Sequence, residues 1–210
     1  MTSILIPWIR GKGVRVCIEA VQSNAGIDPG EYEIVEAEDE DRIGLPRMLK
    51  KLVGLSRGKR VMFLADDCIP QPDFLRNALS TMEKMQDGWG LVGLNDGFQN
   101  GNRVATHFLG DKRLLPLLDG EFFSTAYYHC WADWELTTRC RKLGRYVWAE
   151  SARIVHNHPG IQSIRVMARD PDYRRVYISG HFFLDYLTYL RRKLRGWNSP
   201  ETHNSRLDIC

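Results

Sequence analysis

The sequence of 210 residues has no long hydrophobic run, and none of its apolar stretches approaches the roughly 20 residues that a membrane span requires. The first ten residues, MTSILIPWIR, contain too short a hydrophobic segment for a signal peptide. These two absences predict a cytoplasmic protein. The five cysteines are odd in number and never in CxxC spacing, which argues against a disulfide framework or a thiolate zinc site and favours free thiols.

Charge is distributed unevenly along the chain. From Glu19 to Asp41 there are acidic residues but no Lys or Arg, whereas basic residues greatly outnumber acidic ones from Arg139 to Arg195. A basic C-terminal third is compatible with a polyanionic partner or an anionic surface, and equally with an ordinary solvated face.

The first 65 residues alternate between strand and helix patterns. Three apolar stretches indicate strands: SILIPWI, YEIVEA and RVMFLA. Between them, apolar residues recur at helical spacing, first at Val14, Cys17, Ile18 and Val21, then at Leu45, Met48, Leu49, Leu52 and Val53. This order predicts an α/β fold with a doubly wound, mostly parallel sheet.

The rest of the chain is predicted to contain helices and short strands without a regular alternation. We expect a helix after Pro72, a strand in GLVGLNDG, a short strand at 104–109 and a short helix at 114–118. ADWELTTRCRKLG predicts a helix that Asp133 can cap, and RYVWAE and ARIVHNHPG predict two short extended pieces. A terminal helix is indicated by a stripe of Phe183, Leu187, Leu190 and Leu194. The predicted domains are a catalytic unit over 1–160 and a basic helical extension over 161–210.

Two adjacent acids, Asp66 and Asp67, end the third strand. Ligands of such sheets bind outside the carboxyl ends of the strands, so residues 7–10, 38–41 and 66–68 should line one crevice. Neighbouring carboxylates suit Mg²⁺ or Mn²⁺ bound together with substrate phosphates. The alternative for the acids alone is a turn in which Asp67 accepts from a loop amide.

Four further side chains could carry chemistry. His156 and His158 stand two apart on an extended segment, so both point to one side and either could complete a metal shell. An ordinary hydrogen-bonded histidine is the alternative. Asp133, at the start of its helix, is the candidate general base, and Glu135 is the second choice.

The order of these motifs resembles the family 2 glycosyltransferases of the GT-A fold, in the compact form carried by some bacteriophages. FLADDCIPQPDFL resembles the family's metal-binding stretch, ADWELTTRCRKLG its acidic base motif, and ARIVHNHP its metal histidine. The resemblance implies a GT-A-type doubly wound mixed sheet flanked by helices, with a C-terminal helical extension. Ala65 departs from the family, which often has an Asp there as the first acid of a DxD triplet.

The resemblance also implies roles for individual residues. Asp133 would be the base, and Asp67 with His156 or His158 would bind Mn²⁺ or Mg²⁺. Donor contacts would come from Pro7, Trp8, Arg10, Glu38, Asp39, Asp66 and Arg139. The acceptor would be bound by Glu135, Trp134 and His129.

These roles imply a metal-dependent, inverting transfer of a sugar from a nucleoside diphosphate sugar, with UDP-sugars favoured. The acceptor expected first is a hydroxymethylated pyrimidine in phage DNA, whose phosphates would meet basic residues of the C-terminal third: Arg174, Arg175, Arg191, Arg192, Lys193 and Arg195. The alternative is a lipid-linked or cell-envelope glycan, with the terminal helix lying on an anionic membrane surface.

Two other classes compete with a transferase. A glycoside hydrolase would also use two carboxylates, but it would need no diphosphate metal site. A non-catalytic nucleic-acid-binding module would account for the basic third but would leave Asp66, Asp67 and Asp133 without a role.

Overall fold

A computed structural model describes residues 1–9, 11–97, 103–157, 171–178 and 180–197, and the structural statements below concern these residues. The first part of the chain follows the predicted alternation of strand and helix. Its elements are β1 (Thr2–Trp8), α1 (Gly11–Asn24), β2 (Tyr32–Glu38), α2 (Leu45–Leu55) and β3 (Arg60–Phe63). Strand β1 pairs in parallel with both β2 and β3, so the three carboxyl ends meet at one edge of the sheet.

The second part of the chain completes a seven-stranded mixed sheet. Its elements are β4 (Cys68–Pro70), α3 (Phe74–Glu83), β5 (Leu91–Asn95), β6 (Phe108–Asp111), α4 (Ala132–Lys142) and β7 (Tyr146–His156). The strand order is β2-β1-β3-β6-β5-β7-β4. Strand β6 is antiparallel to both β3 and β5, whereas β5 and β7 are parallel, so the predicted mixed sheet is confirmed.

Several sequence predictions for this second part are wrong in detail. The strand expected at 104–109 is β6, which begins at Phe108, and the helix expected at 114–118 is the 3-10 helix Lys112–Leu117. RYVWAE and the described part of ARIVHNHPG form one strand, β7. An irregularity in the β5–β7 register lets β7 run on past β5 and pair antiparallel with β4, a strand that the sequence did not predict.

Two apolar clusters hold the sheet between its helices. One lies under α1 and α3 and includes Ile4, Cys17, Met62, Phe74 and Met82, all fully buried. The other lies under α2 and α4 and consists of buried residues such as Leu5, Leu52, Phe63, Phe108 and Leu136. Because both faces of β1 and β3 are buried, these strands read as continuous apolar runs.

A C-terminal cap, defined here as residues 171–178 and 180–197, packs on the second cluster. It consists of a helical turn (Pro171–Tyr173), a π-helical turn (Arg174–Ile178) and α5 (His181–Leu194). The predicted apolar stripe of α5 is wrong, since Phe183 is 60% and Leu194 88% exposed. The buried residues of α5 are instead Asp185, Tyr189 and Arg192, so polar anchors fix the rotation of this helix.

The predicted domain boundary at 160/161 lies outside the described residues. Among the helices that the structure describes, none has both the length and the apolar character needed to cross a membrane.

Candidate active site

A pocket of about 530 Å³ opens at the carboxyl edge of the sheet, where β1, β2 and β3 end. The structure brings nine of the predicted site residues into its wall: Pro7, Trp8, Asp39, Asp66, Asp67, His129, Asp133, Trp134 and His156. Arg10 and His158 lie outside the described residues. Among the described residues, the predicted Glu38, Glu135 and Arg139 do not line the pocket.

Asp39 shapes the wall after β2, and the neighbouring Glu38 is exposed. The Asp39 backbone N–H donates to the Trp8 carbonyl at 2.8 Å, which joins the ends of β1 and β2. Its carboxylate accepts from the N–H groups of Ile43 and Gly44, at 2.8 and 3.0 Å, in the turn before α2. The buried carboxylate of Asp39 is therefore committed to the loop that forms this wall.

Asp66 joins the end of β3 to the end of β1. Its Oδ2 accepts from the Ile9 N–H at 3.2 Å. Gly13, in the first turn of α1, comes so close that an added Cβ would lie 2.9 Å from the Asp66 carbonyl oxygen. The absence of a side chain at Gly13 thus allows α1 to approach the Asp66–Asp67 turn.

Asp67 is half-buried between two polar side chains. Its Oδ1 lies 3.3 Å from His156 Nε2, and its Oδ2 accepts from the Tyr173 hydroxyl at 2.6 Å. Burial acts to raise the pKa of Asp67, but the His156 imidazole and the Tyr173 hydroxyl outweigh it and hold that pKa below its usual range. The carboxylate therefore stays ionised throughout the physiological range.

Asp67 and His156 fit a divalent cation. Asp67 Oδ1 is buried and, among the described residues, makes no well-aligned hydrogen bond. It faces an imidazole nitrogen across 3.3 Å, so a carboxylate oxygen and a nitrogen converge on the pocket. Carboxylate and imidazole are donors that Mn²⁺ accepts, and a carboxylate with substrate phosphates is the usual protein site of Mg²⁺.

Three buried polar residues that the sequence did not single out lie next to Asp67 and His156. Cys68 Sγ is 3.1 Å from His107 Nε2, and Asp96 Oδ2 is 3.8 Å from His107 Nδ1 and 3.9 Å from His156 Nδ1. Burial lowers the pKa of His107 and raises that of Cys68, so imidazole and thiol are both neutral. No spacing in the sequence connects Cys68, Asp96 and His107, because they come from three separate parts of the chain: the start of β4, the residue after β5 and the residue before β6.

Asp133 lines the same pocket from α4. It is the second residue of the helix rather than its cap, because Trp131, at φ 68°, occupies the N-cap position. The Asp133 carboxylate accepts from the Trp134 N–H at 2.9 Å. Burial, with a smaller contribution from the charge of Asp96, outweighs that hydrogen bond and raises the pKa of Asp133 to about 6.

Glu135 is held inside the protein. Its carboxylate is 2% exposed and accepts two bonds of 2.7 Å from the Arg192 guanidinium, one of 2.7 Å from the Tyr127 hydroxyl and one of 3.2 Å from Arg139. Arg139 also binds Asp119. Glu135 and Arg139 are therefore side chains of α4 that do not reach the pocket and instead fix this helix to Tyr127, Arg192 and Asp119, and the pairing withdraws Arg192 from the basic surface.

A second buried anchor fixes the cap to the loop before α4. The Asp185 carboxylate accepts from three consecutive backbone N–H groups, those of Tyr128, His129 and Cys130, at 2.8 to 2.9 Å. Charge-assisted bonds of this kind are stronger than neutral ones. Asp185 thereby holds His129 and Cys130 in the pocket wall.

Aromatic side chains from α4 and the cap complete the pocket. Trp131 packs against Trp134, Phe182, Tyr186 and Tyr189, with ring centroids 4.8 to 6.2 Å apart. Five residues of the cap reach the pocket itself: Tyr173, Arg175, Val176, Tyr177 and Phe182. The pocket thus has an acidic, histidine-containing wall at the sheet edge and an aromatic wall on the other side.

No protein-family model matches the sequence, and no curated protein is similar enough to count as a match. Solved structures do match. A mannosyltransferase from Pyrobaculum calidifontis in complex with GDP-Man and Mn²⁺ is 16% identical, with a TM-score of 0.64 over 90% of this chain and 64% of that one.

A second similar protein is S. aureus TarS. Its fragment 1–349 in complex with UDP is 12% identical, with a TM-score of 0.58 over 100% of this chain and 75% of that one. Another TarS structure is 13% identical, with a TM-score of 0.59 over 79% of this chain and 38% of that one. The chain has the GT-A-type fold of these glycosyltransferases, and it spans less than two thirds of the mannosyltransferase's length, 64%.

Proposed function

We propose that this protein is a glycosyltransferase that moves a hexosyl group from a nucleoside diphosphate sugar, with UDP-sugars favoured, to an acceptor hydroxyl. The observation that carries the proposal is the placement of two differently tuned acids in one pocket. Asp67, ionised beside His156, lies in the turn between β3 and β4 at the sheet edge, and Asp133, with its pKa raised to about 6, lies in the wall formed by α4. The fold shared with glycosyltransferases supports it.

Asp67 and His156 would hold Mn²⁺ or Mg²⁺. When bound, the cation would supply Lewis-acid stabilisation to the negative charge that grows on the departing diphosphate. Asp66 would support this wall by keeping the ends of β1 and β3 together through Ile9. Pro7, Trp8 and Asp39 would form the surface on which the nucleotide lies.

Asp133 would act as the general base. The acceptor oxygen forms a bond to C1 of the sugar while the bond from C1 to the diphosphate oxygen breaks, and the hydroxyl proton passes to the Asp133 carboxylate. A raised pKa brings the base nearer to the working pH, which favours proton transfer. A single base across the pocket from the diphosphate site implies in-line attack and inversion at C1. His129 and Trp134 would contact the acceptor.

For the acceptor we propose first a hydroxymethylated pyrimidine in DNA, as in a phage modification enzyme. The DNA phosphates would contact the exposed basic residues of the cap. Arg192 is not among these, because it is buried against Glu135. The exposed residues are Arg174, Arg175, Arg191, Lys193 and Arg195. The planar base could stack on Phe182, which is 40% exposed and lines the pocket.

A second acceptor, a lipid-linked or cell-envelope glycan, is favoured by a specific feature of α5. Phe182, Phe183 and Leu184 are 40%, 60% and 58% exposed, and Phe182 also lines the pocket. An apolar patch at a pocket rim, followed along the helix by basic residues, suits an anionic membrane surface.

The proposal is tested by release of nucleoside diphosphate from a panel of sugar donors, with and without Mn²⁺, followed by mass measurement of DNA and glycolipid acceptors. We expect Asp133→Asn to lower turnover by roughly 10² to 10⁴ with donor binding retained. Exposed Asp41→Asn serves as the control and should match the wild type. Near-normal turnover in Asp133→Asn would remove Asp133 from the base role, and no release from any donor would contradict the transferase.

A further inference from the structure

A cluster next to Asp67 contains a thiol as well as two imidazoles, and it shares His156 with the proposed Mn²⁺ site. Cys68, His107 and His156 each present one ligand atom, and these atoms all lie within 4.8 Å of one another. Cys68 and His107 are 1% exposed, and His156 is 8% exposed. The cluster joins β4, β7 and the residue before β6, because Cys68 and His156 are direct partners in the β4–β7 ladder.

The spacing of these atoms suits tetrahedral coordination. Ligands at the usual Zn–S and Zn–N lengths, in a tetrahedron, stand roughly 3.6 Å apart. The distance from Cys68 Sγ to His107 Nε2 is 3.1 Å, and all three ligand atoms lie within 4.8 Å of one another, so the atoms are already close to that spacing. Small side-chain rotations would bring a thiolate and two imidazoles onto one ion.

Asp96 lies in the position where metal-bound histidines usually have a carboxylate partner, close enough for small rotations to bring it into hydrogen-bond distance. Its Oδ2 faces the Nδ1 atoms of both His107 and His156, at 3.8 and 3.9 Å. This leaves the Nε2 atoms turned toward Cys68 in one case and toward Asp67 in the other. A carboxylate on the far side of two imidazoles orients them and increases their basicity as ligands.

A cation can reach the cluster from the pocket. His107, His156 and Asp67 all line the pocket wall, whereas Cys68 lies behind them. A fourth ligand, such as Asp67 Oδ1 or a water molecule, is therefore available on the open side. Three protein ligands with one accessible position is a common arrangement for Zn²⁺.

We propose that Cys68, His107 and His156 form a site for a thiophilic divalent cation, Zn²⁺ or Cd²⁺, that shares His156 with the Mn²⁺ site and therefore excludes Mn²⁺. Coordination replaces the thiol proton of Cys68, which passes to the buffer. Thiolate and imidazole prefer Zn²⁺ to Mn²⁺, and Zn²⁺ also binds such ligands more tightly in general. The sharing of His156 rests on the proposed function, whereas binding of Zn²⁺ or Cd²⁺ does not.

The site is tested with the purified full-length protein by titration with Cd²⁺, which gives a thiolate-to-metal charge-transfer band in the ultraviolet. We expect one saturable equivalent in the wild type. Cys68→Ser and His107→Asn should weaken binding by about 100-fold or more, since even outer partners of metal ligands contribute 10- to 100-fold. Circular dichroism checks that each variant is folded, and the two variants alter the site independently.

Two cysteines provide matched controls. Cys140 is buried in α4 away from the cluster, and Cys130 lines the same pocket. Cys140→Ser and Cys130→Ser should keep the band and the affinity. A band that survives in Cys68→Ser, or one that disappears in Cys130→Ser, would overturn the assignment.

Competition between the cations is measured separately, by the electron paramagnetic resonance signal of free Mn²⁺. Zn²⁺ should release bound Mn²⁺ from the wild type but release much less from Cys68→Ser. If Zn²⁺ binds while Mn²⁺ stays bound, the sharing of His156 is wrong. If the protein binds no Mn²⁺ at all, the proposed metal dependence fails, and the Cd²⁺ titration still decides the thiolate site.

Discussion

The two walls of the pocket hold their acids in opposite ways. At the carboxyl edge, Asp67 lies between the His156 imidazole and the Tyr173 hydroxyl, and its pKa is held below the usual range. On the α4 side, burial raises the pKa of Asp133 to about 6, and its one backbone bond to Trp134 is not enough to offset this. One pocket therefore contains a carboxylate suited to bind a cation and another suited to accept a proton.

The supports of the two walls differ as well. Asp66 and Asp67 follow a strand whose position is set by apolar neighbours on both faces of the sheet. Asp133 depends on a helix and a loop that are fixed by buried charged groups, Glu135 with Arg192 and Asp185 with three backbone N–H groups. Removing one of these buried charged groups should therefore leave the structure of the sheet-edge wall unchanged, whereas it should disturb the α4 wall.

The largest effect is expected from breaking the Glu135–Arg192 pair. Arg192→Met leaves the Glu135 carboxylate buried with fewer donors, which should lower the free energy of unfolding by about 3–5 kcal/mol. Unfolding in urea, followed by circular dichroism, measures the loss. Turnover should fall in the same variant, since α4 carries Asp133.

Arg191→Met is the control, because Arg191 is the exposed neighbour of Arg192 on the same helix. It should change stability by no more than about 0.5 kcal/mol. The double variant Glu135→Leu/Arg192→Met removes both charges and should regain much of the lost stability. Equal stabilities for Arg191→Met and Arg192→Met would show that the pair does not anchor the cap.

The difference between apolar and polar supports explains which elements and site residues could be predicted from the sequence. The strands and helices through β3 follow from hydrophobic period alone, because each buries a stripe or a face in the sheet core. The position of Asp67 in the site was also predictable, because polar residues that follow a buried strand lie at the edge of the sheet where ligands bind. Nine predicted site residues accordingly meet in one pocket.

The features that the sequence did not predict correctly depend on contacts between residues far apart in the chain. The apolar stripe predicted for α5 is wrong because Asp185 and Arg192 turn the helix toward buried partners 55 to 57 residues away in sequence. Strand β4 has only three residues and acquires its structure by pairing with β7. The role of Cys68 and His107 likewise exists only once β4 and the start of β6 are folded next to each other.

The pH dependence of turnover should sharpen the comparison of the two acids. A general base works only when ionised, so log kcat/KM should rise with pH up to about 6, where Asp133 loses its proton, and level off above it. At pH 5 the loss is about tenfold, because one pKa unit is a factor of ten. Asp67 stays ionised throughout this range and adds no second limb. A limb centred near pH 4 would contradict a raised pKa for Asp133.

The smallest effect is expected from adding one methyl group beside the sheet-edge wall. Alanine at Gly13 would place its Cβ 2.9 Å from the Asp66 carbonyl oxygen, and overpacking of this kind costs about 1–3 kcal/mol. The higher helix propensity of alanine offsets up to about 1 kcal/mol of that cost. Gly13→Ala should therefore lower stability by about 1 kcal/mol in net terms and, because the Asp66–Asp67 turn must shift, weaken Mn²⁺ binding.

Gly54→Ala provides the matched control for that prediction. Gly54 lies in α2, and an added Cβ there would have no described atom within 4 Å, so only the propensity gain remains. This variant should be more stable than the wild type by about 0.5–1 kcal/mol, with Mn²⁺ binding unchanged. If both alanine variants were equally stabilised and bound Mn²⁺ equally well, the close approach of α1 to Asp66 would have no part in shaping the wall. A selective loss in Gly13→Ala would show that even the wall built from apolar strands depends on one backbone contact.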